Sequence, residues 1–379
     1  MLRSIINNWE LKLASRDNNR TVRAFEWGAE YLDPGLTALL EASAVAARIP
    51  RRVSFAGEPP FGIDEDEARR IIFDFNDRGI AASDSIFRAR PVGDYSFDGQ
   101  WVSFASPLFS PYPENNTAHA RYFPVASRDR NGRPTFSDSD HAGRARGRAV
   151  LVLPQWNADA EGHVAICKLL NRVGIAALRM SLPYHDRRML AGFERADYLV
   201  SANIGRTLHA MIQAVVDSRA AIDWLVQQGY DRIGIIGTSV GSCIAFLTVV
   251  HDRRLRASVH LHVSSYFGDV VWEGLTTRHV RQGLETALTR QEVRQAWLLI
   301  SPNSFVPRLA GDQRARLMIS AAYDPTFKPD LSRLLFEECR RWGVRFDKRL
   351  VPCGHYTMGE APFKYFAGFQ IARYLSRHL

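Results

Sequence analysis

The amino-acid sequence predicts an α/β fold, a mostly parallel central sheet with helices on both faces. Three observations carry this expectation. From about Thr117 onward, short apolar runs alternate with helix-periodic segments, as parallel strands and their crossover helices do. Several of those runs are almost continuously apolar, as expected of strands covered on both sides. The longest periodic segment, 204–227, sets Ile204, Leu208, Met211, Val215, Ile222 and Val226 mostly at three- to four-residue steps, with Gly229 where a helix would stop.

Strands are expected at 118–125, 149–153, 175–178, 233–236, 258–263, 317–321 and 345–351. Residues 1–116 read as an N-terminal extension of mixed, irregular sequence. One short helix is expected from Asp33, with Pro34 at its first position, Leu36, Leu39, Leu40 and Ala44 on one face, and Pro50 ending it. A second is expected over 65–75, whose acidic first turn suits the helix dipole. The turn-rich stretch 106–116 marks the boundary to the α/β domain, 117–379. Aromatic and Arg-rich helical sequence at 264–312 interrupts the alternation, where a cap or lid would be inserted.

Composition narrows the function classes. Apolar residues make up 46% of the 379, enough for a substantial core, and no apolar run approaches the roughly 20 residues of a membrane span. No membrane partner is expected. The start, MLRSIINNWELKLAS, has no continuous apolar stretch and carries Glu10, so a secretory leader is not expected and the chain is read as cytoplasmic. The formal charge of +9 invites a nucleic-acid reading. Its basic residues, however, are nearly all Arg spread along the whole length, whereas nucleic-acid binders gather charge in a stripe or tail. The densest group, Arg144, Arg146 and Arg148, fits a solvated loop. Cys167, Cys243, Cys339 and Cys353 show no CxxC spacing, so no zinc knuckle or redox pair is indicated.

The chemistry concentrates at Arg232–Phe246, which reads RIGIIGTSVGSCIAF. Here G-x-S-x-G follows an apolar strand and precedes an apolar helix. A serine hydroxyl is a poor nucleophile unless it projects into the open and a base can reach it. A sharp strand-to-helix turn achieves the projection at the cost of strained dihedrals and close backbone contact. Gly237 and Gly241 relieve that crowding around Ser239. The same turn aims the N–H of Val240 and the positive helix end at a developing oxyanion.

Such a strand-turn-helix resembles that of the α/β-hydrolases, and the resemblance implies that the acid and then the histidine follow in the chain, each past a strand. Asp324 stands at the end of strand 317–321 and His355 in a Gly-flanked loop past strand 345–351. Asp269 is a second possible acid, and Asp330 is expected to cap the helix after Asp324. His260 and His262 alternate on one strand and could face one side as metal ligands; without a third ligand, burial is the better reading, and neither a metal nor a cofactor is expected. A second oxyanion donor would come from the loop Pro154-Gln155-Trp156-Asn157. By position that donor is the N–H of Trp156, with its indole as a wall of the acyl pocket.

With these residues in place the chain resembles the α/β-hydrolase superfamily over about 117–379. More narrowly, it is similar to the α/β hydrolase domain-containing family. The segments that carry this are FEWG (Phe25 to Gly28), SLPYH (Ser181 to His185), GTSVGS (Gly237 to Ser242), SYFGDVVWEGL (Ser265 to Leu275), YDPTF (Tyr323 to Phe327) and PCGHYTMG (Pro352 to Gly359). The resemblance implies a triad of Ser239, Asp324 and His355. In this chain Pro154-Gln155 stands where many hydrolases carry His-Gly.

The function expected is hydrolysis of a small-molecule carboxylic ester through an acyl-Ser239 intermediate. An acyltransferase or peptidase would use the same triad with a different acceptor or pocket. A catalytically silent binding protein on this fold is the reading from another class. Tyr266, Phe267, Trp272 and Trp297 suggest an apolar roof or, equally, packing between cap and sheet.

Overall fold

In the computed structural model, which describes residues 2–16, 19–32, 64–88, 91–125, 127–128, 134–135 and 147–379, nine strands hydrogen-bond into one sheet. They are β1 (Ser96–Phe97), β2 (Trp101–Ala105), β3 (Thr117–Phe123), β4 (Gly147–Leu153), β5 (Ala176–Met180), β6 (Tyr230–Thr238), β7 (Leu255–Leu261), β8 (Ala315–Ala321) and β9 (Asp347–Val351). Their spatial order is β1-β2-β3-β5-β4-β6-β7-β8-β9. The six strands from β5 to β9 are parallel to one another, and the first three are antiparallel to their neighbours. All seven strands expected from the sequence occur, with ends displaced by a few residues. The pair β1 and β2 is additional: β1 is a two-residue strand at the sheet edge and β2 a five-residue strand beside it, so neither leaves a long apolar run to read.

Helices cover both faces, and alternation along β4 explains how. Ala149, Leu151 and Leu153 pack into one core with residues of α4 (Ile204–Gln227) and α5 (Val240–His251). Val150 and Val152 point the other way and pack with Val164, Cys167 and Leu170 of α3 (Val164–Arg172) and with Ile371 and Leu375 of α10 (Phe363–His378). The N-cap of α4 is Asn203, whose side chain accepts the Arg206 N–H.

Among the other helices, α1 (Leu2–Ala14) lies ahead of the sheet, and α2 (Glu65–Ala81) runs six residues past the expected 65–75. The helix expected from Asp33 lies outside the described residues. The segment 264–312 carries α6 (Phe267–Glu273), α7 (Arg278–Leu284) and α8 (Arg290–Ala296). Helix α9 (Pro329–Arg341) follows β8 and starts from Lys328, with Pro329 at its first position; Asp330 is not the cap and instead pairs with Arg333 at 2.8 Å. Arg148 is not on a loop: it sits in β4 and donates to Val173 O at the end of α3 (2.8 Å), while Arg144 and Arg146 lie outside the described residues. No helix is long and apolar enough to cross a membrane among the described residues.

Candidate active site

The register of the sheet brings five loops to one edge. Leu153 pairs with Gly237, Thr238 with Leu261, Leu261 with Ile319, and Ala321 with Val351. The C-terminal ends of β4, β6, β7, β8 and β9 are therefore nearly flush. Trp156, Ser239, His262, Asp324 and His355 each follow one of them by one to four residues. This is the crevice where open parallel sheets place their ligands.

Ser239 has φ 56° and ψ −122°, a left-handed backbone that a residue with a side chain rarely adopts. The turn is tight enough to require glycine at both flanks. A Cβ on Gly237 would strike Gly241 O, and one on Gly241 would strike Leu153 O and Pro154 O. These obstacles are backbone atoms that cannot swing aside. Four of the six non-glycine residues with positive φ among the described residues (Asn157, His163, Ser239 and His262) line a single cavity of about 1360 Å³. Strain concentrated around one cavity is typical of a functional site.

Asp324 is buried and fully engaged. Its Oδ1 accepts the N–H groups of Thr326 and Phe327, both at 2.8 Å. Its Oδ2 accepts from His355 Nδ1 at 3.0 Å and from His262 Nδ1 at 2.7 Å. Burial opposes ionisation, but the charge of His355 and the hydrogen bonds from both imidazoles outweigh it, holding Asp324 well below the usual carboxylate range. Burial also opposes the charged form of His355; the charge and hydrogen bond of Asp324, joined by the charge of Glu10, outweigh it and lift His355 above its ordinary value. For His262 burial dominates, with His355 adding repulsion, and its value falls. The two rings lie 4.4 Å apart, centroid to centroid, and His355 stacks on Phe327 at 5.4 Å.

Ser239 and His355 line the same cavity. The Ser239 hydroxyl is not hydrogen-bonded to His355 in this structure. Catalytic hydrogen bonds are often long before substrate binds. Val240 and Trp156 also line the cavity, and neither backbone N–H has an acceptor among the described residues. The close approach of Gly241 to Leu153 O and Pro154 O brings the loop that carries Trp156 against the start of α5. The Trp156 indole donates to Ala196 O (2.8 Å) and stacks on His279 at 5.6 Å.

Nothing matches this chain among protein-family models or among curated proteins. Solved structures do. An acetyl xylan esterase from Paenibacillus sp. R4 is 14% identical with a TM-score of 0.55, the match covering 85% of this chain and 97% of that one. Pyrococcus horikoshii acylaminoacyl peptidase is 12% identical at 0.52, covering 69% of this chain and 40% of the peptidase. A Mycobacterium tuberculosis puromycin-hydrolyzing peptidase is 14% identical at 0.52, with 69% and 37% covered. The chain thus spans well under half of either peptidase. These likenesses carry the fold. It is the α/β-hydrolase fold.

Within this fold, Asp269 is bonded to neither imidazole: it is buried and held by Arg290 (3.1 Å) and Arg294 (2.5 Å) of α8. His260 points away from His262, bonding Ser242 O (3.3 Å) and the Ser258 hydroxyl (3.0 Å), and burial, then Arg316, pushes it down to about 3. The two histidines separate because the strand ends at Leu261 and His262 turns with φ 58°. His262, Asp324 and His355 offer ligand atoms within 4.8 Å of one another and are the group among the described residues that could approach a metal ion. Both imidazoles spend Nδ1 on one carboxylate oxygen, Oδ2 of Asp324.

Sequence reasoning did not single out His262 as a partner of Asp324, because nothing along the chain shows that β7 lies between β6 and β8. It also missed His185 of SLPYH, which accepts the Asn157 N–H at Nε2 (2.8 Å) and donates from Nδ1 to Pro183 O (2.8 Å), bracing the Trp156 loop. Of the four aromatics expected as roof or packing, Phe267 lines the cavity. Trp297 is core, donating to Ile204 O (3.2 Å), and Tyr266 and Trp272 lie beneath Arg294 and Arg281.

Proposed function

We propose that this chain is a serine hydrolase of carboxylic esters, with Ser239 as nucleophile, His355 as general base and acid, and Asp324 as the carboxylate that orients it. The observation that carries the reading is the strained Ser239 opening into the same cavity as an imidazole whose Nδ1 is tied to a buried carboxylate. With Nδ1 on Asp324, the remaining nitrogen, Nε2, takes the Ser239 proton as Oγ bonds to the carbonyl carbon. The oxyanion forms against the N–H groups of Val240 and Trp156. His355 then passes the proton to the leaving alcohol as the C–O bond breaks, and in the second half withdraws a proton from water, which releases the acid and restores Ser239. Asp324 stays ionised throughout. The narrower likeness to the α/β hydrolase domain-containing family agrees with this assignment and leaves the substrate open.

The neighbours named as peptidases support a second reading, amide cleavage with the same residues. Labelling with a fluorophosphonate tests the shared mechanism: wild type should label and Ser239→Ala should not, and equal labelling would remove the hydrolase reading. Nitrophenyl esters of increasing chain length, set against a nitroanilide series, then separate esterase from peptidase. Faster turnover on adding an alcohol acceptor would mark an acyltransferase.

A further inference from the structure

Helix α1 carries a charge where its pattern calls for an apolar residue. Ile6, Glu10, Leu13 and Ala14 fall on one face at helical spacing, and all four are buried, Glu10 to 1% exposure. A carboxylate so placed needs partners to offset its desolvation. It finds them 346 residues away. Glu10 Oε2 accepts the Tyr356 N–H at 3.0 Å and Oε1 accepts the Thr357 N–H at 2.6 Å. Gly354, on the other side of His355, is pressed so closely that a Cβ there would strike the Glu10 carboxyl. The Thr357 hydroxyl closes the loop by accepting the Gly354 N–H (2.7 Å).

We infer that Glu10 is a positioning residue for His355, gripping its loop through two backbone N–H groups and setting a buried negative charge behind the imidazole. This rests on His355 being the base of the proposed hydrolase. Two functions follow from one carboxylate. The bidentate grip fixes the loop that aims Nε2 into the cavity, and the charge favours the protonated imidazole after it has taken the serine proton. The groups facing His355 are few. Asp324 and His262 come from the ends of β8 and β7, and Cys353 and Tyr356 from its own loop. Arg20 reaches the Tyr356 hydroxyl at 3.0 Å, and Glu10 comes from α1. Glu10 and Asp324 are the two acids of that set, and Asp324 is already committed to four hydrogen bonds.

The test compares the full-length wild type, Glu10→Gln and Glu10→Asp, each first shown to melt cooperatively. Glu10→Gln keeps the shape but loses the charge and one acceptor. Glu10→Asp keeps charge and oxygens but draws them back by one methylene. Fluorophosphonate labelling is followed against pH, and the His355 ring resonances, assigned with His355→Asn, are titrated by NMR. Glu10→Gln should move both the acid limb of labelling and the ring titration to lower pH. Glu10→Asp should leave the limb near that of wild type while its plateau falls several-fold. Superposed ring titrations for wild type and Glu10→Gln would overturn the inference. Should Glu10→Gln not fold, an undiminished plateau in Glu10→Asp would do so. A wild type that never labels, with its ring titration still shifted by Glu10→Gln, would remove the hydrolase reading and leave the electrostatic link standing.

Discussion

His262 and His355 share one oxygen, Oδ2 of Asp324, at 2.7 and 3.0 Å, with their rings 4.4 Å apart. Two imidazoles on one carboxylate raise the question of which carries the serine proton. Burial and the neighbouring His355 disfavour the charged form of His262, whereas Asp324 and Glu10 favour that of His355. On the proposed reading, the base is the one whose environment favours the proton.

The first prediction ranks the two. His355→Ala should reduce fluorophosphonate labelling and ester turnover by about 10⁶-fold, as removal of a triad base does. His262→Ala should retain a clear fraction of activity and instead lose stability. A hydrogen bond to a buried charged group is worth about 1.5–3 kcal/mol, and the vacated ring volume adds to that loss. Denaturant unfolding beside kinetics checks both, and a reversed order of activities would transfer the base to His262.

The second concerns pH and rate. In the proposed mechanism neutral His355 is the active form, and its value in the folded chain lies above the ordinary histidine value of about 6.5. Turnover should therefore rise with pH through a midpoint above 6.5, and a limb centred below it would contradict the Asp324 and Glu10 environment.

The third concerns pH and stability. His163 and His185 are pushed down to about 4, by burial first and then, for His163, by Arg179. The unfolded chain takes up these protons near pH 6.5, whereas the folded chain resists until about pH 4. Stability should thus fall as pH drops from about 6.5 to 4. His355, raised, acts in the opposite sense, contributing stability below 6.5 that is lost as pH rises through its folded value. Urea midpoints between pH 4 and 8 measure the balance, and the more numerous depressed histidines should dominate it.

The fourth tests the turn. Gly241→Ala puts a methyl against Leu153 O and Pro154 O, so the start of α5 must move away from the Trp156 loop. Overpacking of this kind costs about 1–3 kcal/mol. Parting the Val240 and Trp156 N–H groups by even 1 Å should lower turnover roughly 10²-fold. Melting and steady-state kinetics on the same preparation would detect either effect, and an unaffected rate would deny the two N–H groups their role.

The strand-turn-helix at Ser239 was legible in the sequence because its determinants are local: an apolar strand, two glycines flanking the serine, and an apolar helix within fifteen residues. Asp324 and His355 were legible as residues past strand ends, in the order that this kind of turn leads one to expect. Which acid meets the imidazole was not, since Asp269 and Asp324 both follow apolar strands, and only the chain's path puts Arg290 and Arg294 around the first. His262 and Glu10 were beyond reach for a related reason. A hydrogen bond between residues 62 or 346 positions apart leaves no periodic trace, because it depends on strand order and helix docking rather than on neighbours in the chain. Local sequence therefore determined the strained turn at Ser239 and the strands. The order in which those strands lie side by side decided what surrounds the imidazole, because burial and charge act through space.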